Sequence, residues 1–210
     1  MTPRFPVYLF DIDGTLLDSA PDICGAQSVV LAAAGFPAVP FEFLRSYIGL
    51  ELRALFASLM PGISDEELAK LSDEYSANYR GRRHAGTRPY PGVREALAAL
   101  TGRKSTATTK STAGTKLVLE HFGLLRHFDH VQGSDGIRCK PAPDVVNAAI
   151  AGLGARPEDC LLIGDSPADM EAGRSAGVKI CAVTYGYGDP AELAKWRPDY
   201  QVSDLRELVG

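Results

Sequence analysis

The chain has 210 residues and a formal net charge of -4, from 22 basic against 26 acidic side chains, which allows one good core plus a modest inserted unit. There is no basic excess to clamp a phosphate backbone, so nucleic acid is excluded as a partner, whereas a small phosphorylated molecule stays compatible through a local positive site. Cys24, Cys139, Cys160 and Cys181 show neither a C-x-x-C pair nor zinc-ligand spacing, and no apolar run approaches membrane-spanning length. Met1 leads through Pro3 and Pro6 into a short apolar stretch without a signal-peptide core, so the expectation is a cytoplasmic protein with reduced thiols, no membrane contact, and a monomeric or weakly dimeric state.

Val7 to Phe10 is a short apolar run ending in Asp11, Asp13 and Gly14, the pattern of a buried parallel strand followed by a polar loop. Ser19 is placed to cap a helix with Pro21 in its first turn and Gly35 at its end. Helical patterns continue over 41–48, 50–60 and 66–79, the last opened by a capping box from Ser64 to Glu67. No strand is predicted between 19 and 83. From Pro89-Tyr90-Pro91-Gly92 onward, helices over 93–100, 112–122, 144–153 and 168–176 alternate with strands over 105–108, 129–132, 160–163 and 179–183. That alternation predicts an α/β fold, a doubly wound Rossmann-like parallel sheet formed by 1–18 and 87–210, with 19–86 inserted after the first strand as an all-helical cap.

Ligands of open parallel sheets bind beyond the carboxyl ends of the strands, and those positions carry Asp11 and Asp13, Thr108 and Thr109, Lys140, and Asp165 followed by Asp169. Asp11 and Asp13 are two apart in an extended segment, so both side chains are expected to leave one face and share a pocket. Mutual repulsion of these carboxylates calls for a cation, and an all-oxygen set points to magnesium. One carboxylate then attacks phosphorus while the other protonates the leaving oxygen. Gly14 suits a tight turn presenting backbone N–H groups to phosphoryl oxygens, with Thr108 and Lys140 supplying a hydroxyl and a charge.

The segments Asp11 to Ser19, Lys140-Pro141-Ala142-Pro143-Asp144 and Gly164 to Asp169 closely resemble motifs one, three and four of haloacid dehalogenase superfamily phosphatases, in the same order and spacing. The Pro89 to Val93 re-entry and the helical insertion look like the phosphoglycolate phosphatase-like branch. The resemblance implies a magnesium-dependent phosphomonoesterase for a small phosphorylated metabolite, with Asp11 as nucleophile and Asp13 as acid and base. It further implies metal ligation by the Asp11 and Asp165 side chains and the Asp13 carbonyl, Asp169 supporting the metal's waters, and Lys140 holding nucleophile and phosphate. Motif two departs from the pattern, because Arg103 to Thr109 is polar; Thr108 is assigned there with Thr109 in the usual asparagine position, and Thr106 is the alternative by one two-residue step. The hydroxyls of such a strand need partners that the sequence does not reveal.

Other readings stand beside these. Asp13 argues against a dehalogenase, a sugar-phosphate mutase would use the same aspartates, and a non-catalytic binding protein would be expected to have lost some of them. Arg80, Arg82, Arg83, His84 and Arg88 form either a solvated hinge or an anion-steering cluster. His121, His127 and His130 read as structural, as does Trp196. Arg53, shortly after Gly49, is either a surface residue or a reader of an anionic leaving group. Asp18 and Ser19 read as residues that turn the chain into the cap.

Overall fold

A computed structural model describes residues 4–209, so Met1 and Pro3, where the N-terminal reading begins, lie outside the described part. Strand β1 (Val7–Phe10) is wholly buried, because its side chains alternate between two apolar layers: Tyr8 and Phe10 enter one, Val7 and Leu9 the other. Strands β5 (Cys160–Gly164) and β6 (Lys179–Val183) divide their side chains in the same way. Near-continuous hydrophobic runs are what a parallel sheet covered on both faces requires. With β4 (Arg103–Thr106) and β7 (Tyr200–Val202), they form a five-stranded parallel sheet in the order β4-β1-β5-β6-β7.

Helices α5 (Val93–Ala99) and α6 (Thr112–His121) supply Val93, Ala96, Leu97, Val118 and Leu119 to the first layer. The second layer is covered by α7 (Asp144–Gly152), α8 (Pro167–Ala176) and α9 (Pro190–Lys195). The chain passes from β1 to β4 on one side and to β5 on the other, so the sheet reverses direction of winding beside β1. A crevice opens there, at the carboxyl ends of the strands.

The predicted strand over 105–108 lies two residues earlier, and the one over 129–132 is absent. A single bridge joins Ser105 to His130, and the Asp129 and His130 N–H groups both donate to the Lys104 carbonyl. The reason is Thr106, whose hydroxyl donates to the Gln132 carbonyl and accepts from the Gln132 N–H, both at 2.8 Å, where a ladder would otherwise run. Ser105 Oγ meets the Thr106 carbonyl and His130 Nδ1, and Lys104 Nζ donates to the Gly102 and Leu100 carbonyls, so the polar edge strand finds its partners locally.

Two short antiparallel strands, β2 (Leu17–Asp18) and β3 (Arg88–Pro89), carry the chain out of the sheet domain and back. Between them lie α1 (Ala20–Ala33), α2 (Phe41–Arg45), α3 (Leu52–Leu59) and α4 (Asp65–Gly81), packed around Val30, Leu31, Leu44, Leu55 and Phe56. The Ser64–Glu67 capping box starts α4 as predicted. Ser19 precedes α1 but makes no capping hydrogen bond; its hydroxyl is committed to the site described next.

Candidate active site

Asp11 is the first residue beyond β1, and its N–H donates to the Ile163 carbonyl at 2.9 Å, which fixes it between β1 and β5. Asp165 follows β5, Asp169 lies in the first turn of α8, and Lys140 comes from the loop before α7. One carboxylate oxygen from each of Asp11, Asp165 and Asp169 lies within 4.8 Å of the others, and all three residues are buried. Lys140 Nζ donates to Asp11 Oδ1 at 2.6 Å and to Asp169 Oδ1. The second Asp169 oxygen accepts the Ser166 N–H and hydroxyl in the α8 capping box, so the start of that helix sets its rotamer. Asp165 is held by the Thr15 hydroxyl and the Tyr187 N–H, both at 2.8 Å.

Glycine lets these carboxylates approach the backbone. A Cβ on Gly14, whose φ is +95°, would lie 2.2 Å from Asp165 Oδ2, and one on Gly164 would lie 2.4 Å from Asp169 Cγ. The Gly14 N–H donates to the Leu17 carbonyl at 2.8 Å, which closes the tight turn read from the sequence, and the missing side chain admits Asp165.

Three buried carboxylates face one buried ammonium. Burial pushes Asp11 above the ordinary carboxylate range, Lys140 pulls it back, and Asp169 and Asp165 push it up again, with a net rise. Burial likewise raises Asp165, reinforced by Asp169. Burial lowers the Lys140 ammonium, but Asp11 and Asp169 more than offset this and keep it protonated. The cluster thus carries excess negative potential and an all-oxygen donor set, which fits a small hard divalent cation such as magnesium.

Asp13 does not join this cluster. One oxygen accepts the Ser19 hydroxyl and the other lies 3.2 Å from Lys110 Nζ, so the two motif-one aspartates each have their own lysine. Asp13 stands outside the three-carboxylate group, in the turn through Gly14, where it bridges to Leu17. Lys110 Nζ also sits 4.6 Å from the centre of the Tyr79 ring. Burial opposes its charge, but Asp13 and the tyrosines outweigh this and raise its pKa.

Thr108 is buried just past β4, and its oxygen accepts the Lys110 N–H at 3.2 Å, which leaves its own proton free to donate. Thr106 has no such freedom, being committed to Gln132. Thr109 and Asp13 line a cavity of about 850 Å³ between the sheet domain and the helices. Arg53 does not: it is 55% exposed and pairs with Asp65 at 2.8 Å, because the turn after Gly49 aims it along the outside of α3 towards the start of α4. The hinge cluster splits. Arg82 pairs with buried Asp22 at 3.0 Å and Arg88 caps the Ala85 and Thr87 carbonyls, whereas Arg80, Arg83 and His84 line the cavity.

Sequence reasoning missed Lys110 as Asp13's partner, and also Tyr187. The Tyr187 hydroxyl accepts the Ser19 and Ala20 N–H groups at 2.7 and 2.9 Å and donates to Asp18, tying the start of α1 to the loop after β6. Asp18 and Ser19 therefore do turn the chain, but Ser19 also touches Asp13.

Comparison with known proteins adds three findings. The family described as haloacid dehalogenase-like hydrolase matches residues 8–183. A phosphoglycolate phosphatase of Nitrosospira multiformis is 35% identical over 96% of this chain and 92% of its own, and an N-acetylmuramic acid 6-phosphate phosphatase of Pseudomonas aeruginosa is 33% identical over 98% and 94%. A solved haloacid dehalogenase-like hydrolase from Bacteroides fragilis superposes with a TM-score of 0.91 at 30% identity, covering 98% of this chain and all of that one.

Proposed function

The chain belongs to the haloacid dehalogenase-like hydrolase family, and on that premise we propose that it is a magnesium-dependent phosphomonoesterase for small phosphorylated metabolites, working through an aspartyl-phosphate. The observation that carries this reading is the division of labour in motif one: Asp11 sits in the buried acidic cluster against Lys140, while the Asp13 carboxylate faces the cavity.

Lys140 occupies Asp11 Oδ1, leaving Oδ2 to attack phosphorus. Asp13 then gives a proton to the departing alcohol oxygen, and in the second step takes one from the water that hydrolyses the acyl phosphate. The Thr108 hydroxyl and the Lys140 ammonium are placed to meet phosphoryl oxygens. The Asp11 and Asp165 side chains with the Asp13 carbonyl would hold magnesium, Asp169 supporting its waters, and the ion would supply charge neutralisation to the phosphoryl group.

No helix among the described residues is long and apolar enough to cross a membrane. Phosphoglycolate, named for the Nitrosospira relative, is the reference substrate. Asp11→Asn preserves shape and removes the nucleophilic anion, so phosphate release from phosphoglycolate and p-nitrophenyl phosphate is expected to fall by a factor of roughly 10³ or more. A variant that keeps a tenth of the parent rate on either ester sinks the reading.

A further inference from the structure

Helix α1 is capped from the other domain. Ser19 stands at its N-cap and is wholly buried, yet its hydroxyl donates to Asp13 Oδ1 instead of accepting a first-turn N–H. Of the N–H groups at the start of the helix, that of Asp22 turns to the Ser19 carbonyl, and Pro21 has none. Those of Ser19 and Ala20 go to the Tyr187 hydroxyl, at 2.7 and 2.9 Å, and this hydroxyl in turn donates to Asp18 Oδ1 at 3.0 Å. One phenol oxygen thus fixes three consecutive residues, the middle one of which holds the carboxylate of Asp13.

Tyr187 is itself firmly seated. Its N–H donates to Asp165 Oδ2 at 2.8 Å. Neither glycine beside it has room for a side chain: a Cβ on Gly186 would overlap the Asp165 side chain and the Gly14 carbonyl, and one on Gly188 the Asp165 carbonyl. The loop after β6 is therefore pressed onto the chain just beyond β1 and β5, while the Tyr187 ring packs against the hydrophobic cluster of the helical unit. Position passes from that loop through Tyr187 Oη to the Ser19 backbone, and from the Ser19 hydroxyl to Asp13.

Asp13 needs such a hold. Its other oxygen meets Lys110 Nζ, which ends a flexible four-carbon stem, so Ser19 is the shorter and stiffer tether. A general acid acts only within hydrogen-bond reach of the atom it protonates, and a misplacement of about 1 Å can cost about a hundredfold in rate. We infer that Tyr187 is a positioning residue for the acid and base Asp13, acting through the Ser19 hydroxyl. The inference rests on the phosphatase reading above and adds what aims its acid. In the first step a bond forms between Asp11 Oδ2 and phosphorus, the ester P–O bond breaks, and the Asp13 proton passes to the leaving oxygen. A strongly basic leaving oxygen depends on that proton more than a weakly basic one does.

The intact protein is assayed with magnesium on phenyl phosphate and p-nitrophenyl phosphate, which are alike in shape and differ in how basic the departing phenolate is. The ratio of their kcat/KM values reads the acid step, because kcat/KM covers the reaction only as far as release of the alcohol. Tyr187→Phe keeps the ring and the N–H on Asp165 and removes the hydroxyl, and is expected to lower the phenyl-to-nitrophenyl ratio about fivefold. Loss of folded protein scales both esters alike and leaves the ratio where it was. Ser19→Ala, which leaves Tyr187 in its seat, is expected to lower the ratio by a similar factor, and the double variant by no more than Ser19→Ala alone, since both act on one carboxylate along one path. A ratio unmoved in either single variant, or losses that multiply in the double variant, overturn the inference while leaving the reaction standing. Release that survives Asp11→Asn overturns the underlying reading instead.

Discussion

The lysine beside Asp13 stands apart from the three aspartates arranged around Lys140. Lys110 is nearly buried, is held against the Tyr79 ring, and pairs with Asp13, the proposed acid and base. Removing it leaves the Asp13 carboxylate without a countercharge and removes a preorganised cation from the mouth of the site. Lys110→Met, which retains the stem against Tyr79, is expected to cost about 2–3 kcal/mol in kcat/KM on every phosphomonoester. Steady-state rates within threefold of the parent would show that Lys110 only packs. Asp11, Asp13, Asp165 and Asp169 were legible because each follows or caps an element whose end can be read locally. Lys110 was visible but not assignable, and Tyr187 acts across 168 positions on Ser19, a proximity that no local pattern encodes.

At the scale of elements, the junction between the helical unit and the sheet domain is secured by one buried acid. Asp22, in the first turn of α1, accepts Arg82 Nε at 3.0 Å, the Gly86 N–H at 3.0 Å and the Thr87 hydroxyl at 2.7 Å. Burial opposes its ionisation, but these donors, Thr87 first and then Arg82 and Gly86, hold its carboxyl below the ordinary value. Asp22→Ala strands a guanidinium, a hydroxyl and an N–H at once, and is expected to lose about 3 kcal/mol of stability in urea titrations at pH 7. Because the folded state binds this proton more weakly than the unfolded chain, the stabilisation is complete above a pH of about 4–5 and fades as pH falls through the folded pKa. The gap between parent and variant should therefore narrow in acid; a gap that widens would contradict the assigned ion pair. Elements were legible where burial is uniform, as in β1 and β5, whose side chains all face apolar layers. They were not legible where side chains replace the backbone as partners: Lys104, Ser105 and Thr106 make an edge strand whose hydroxyls meet the 130–132 segment, and the short β7 carries too few residues to show a period.

For the molecule as a whole, the buried acidic cluster is a source of instability that the proposed divalent ion would relieve. Magnesium at a hundred times its dissociation constant contributes about 2.7 kcal/mol to a folded state that alone binds it, or roughly 5–10 °C in midpoint for a chain of this size. Thermal melts with magnesium and with excess chelator are expected to differ by that amount, and the difference should disappear in Asp165→Asn. Coincident melts in the parent protein would remove the ion from the account. The doubly wound architecture and the position of the crevice were legible from alternation alone, whereas the shape of the cavity was not, since Gln27, Tyr79 and His84 meet only after the helices pack. The two connections between the domains have a different kind of consequence. Leu17 lies opposite Pro89 and Asp18 opposite Arg88, so the helical segment departs and returns through one doorway. Everything inside that doorway can be exchanged by recombination without shifting the register of a single sheet strand. Contacts that reach across, such as Ser19 to Asp13 and Tyr79 to Lys110, would tie an exchanged segment to the crevice beneath it.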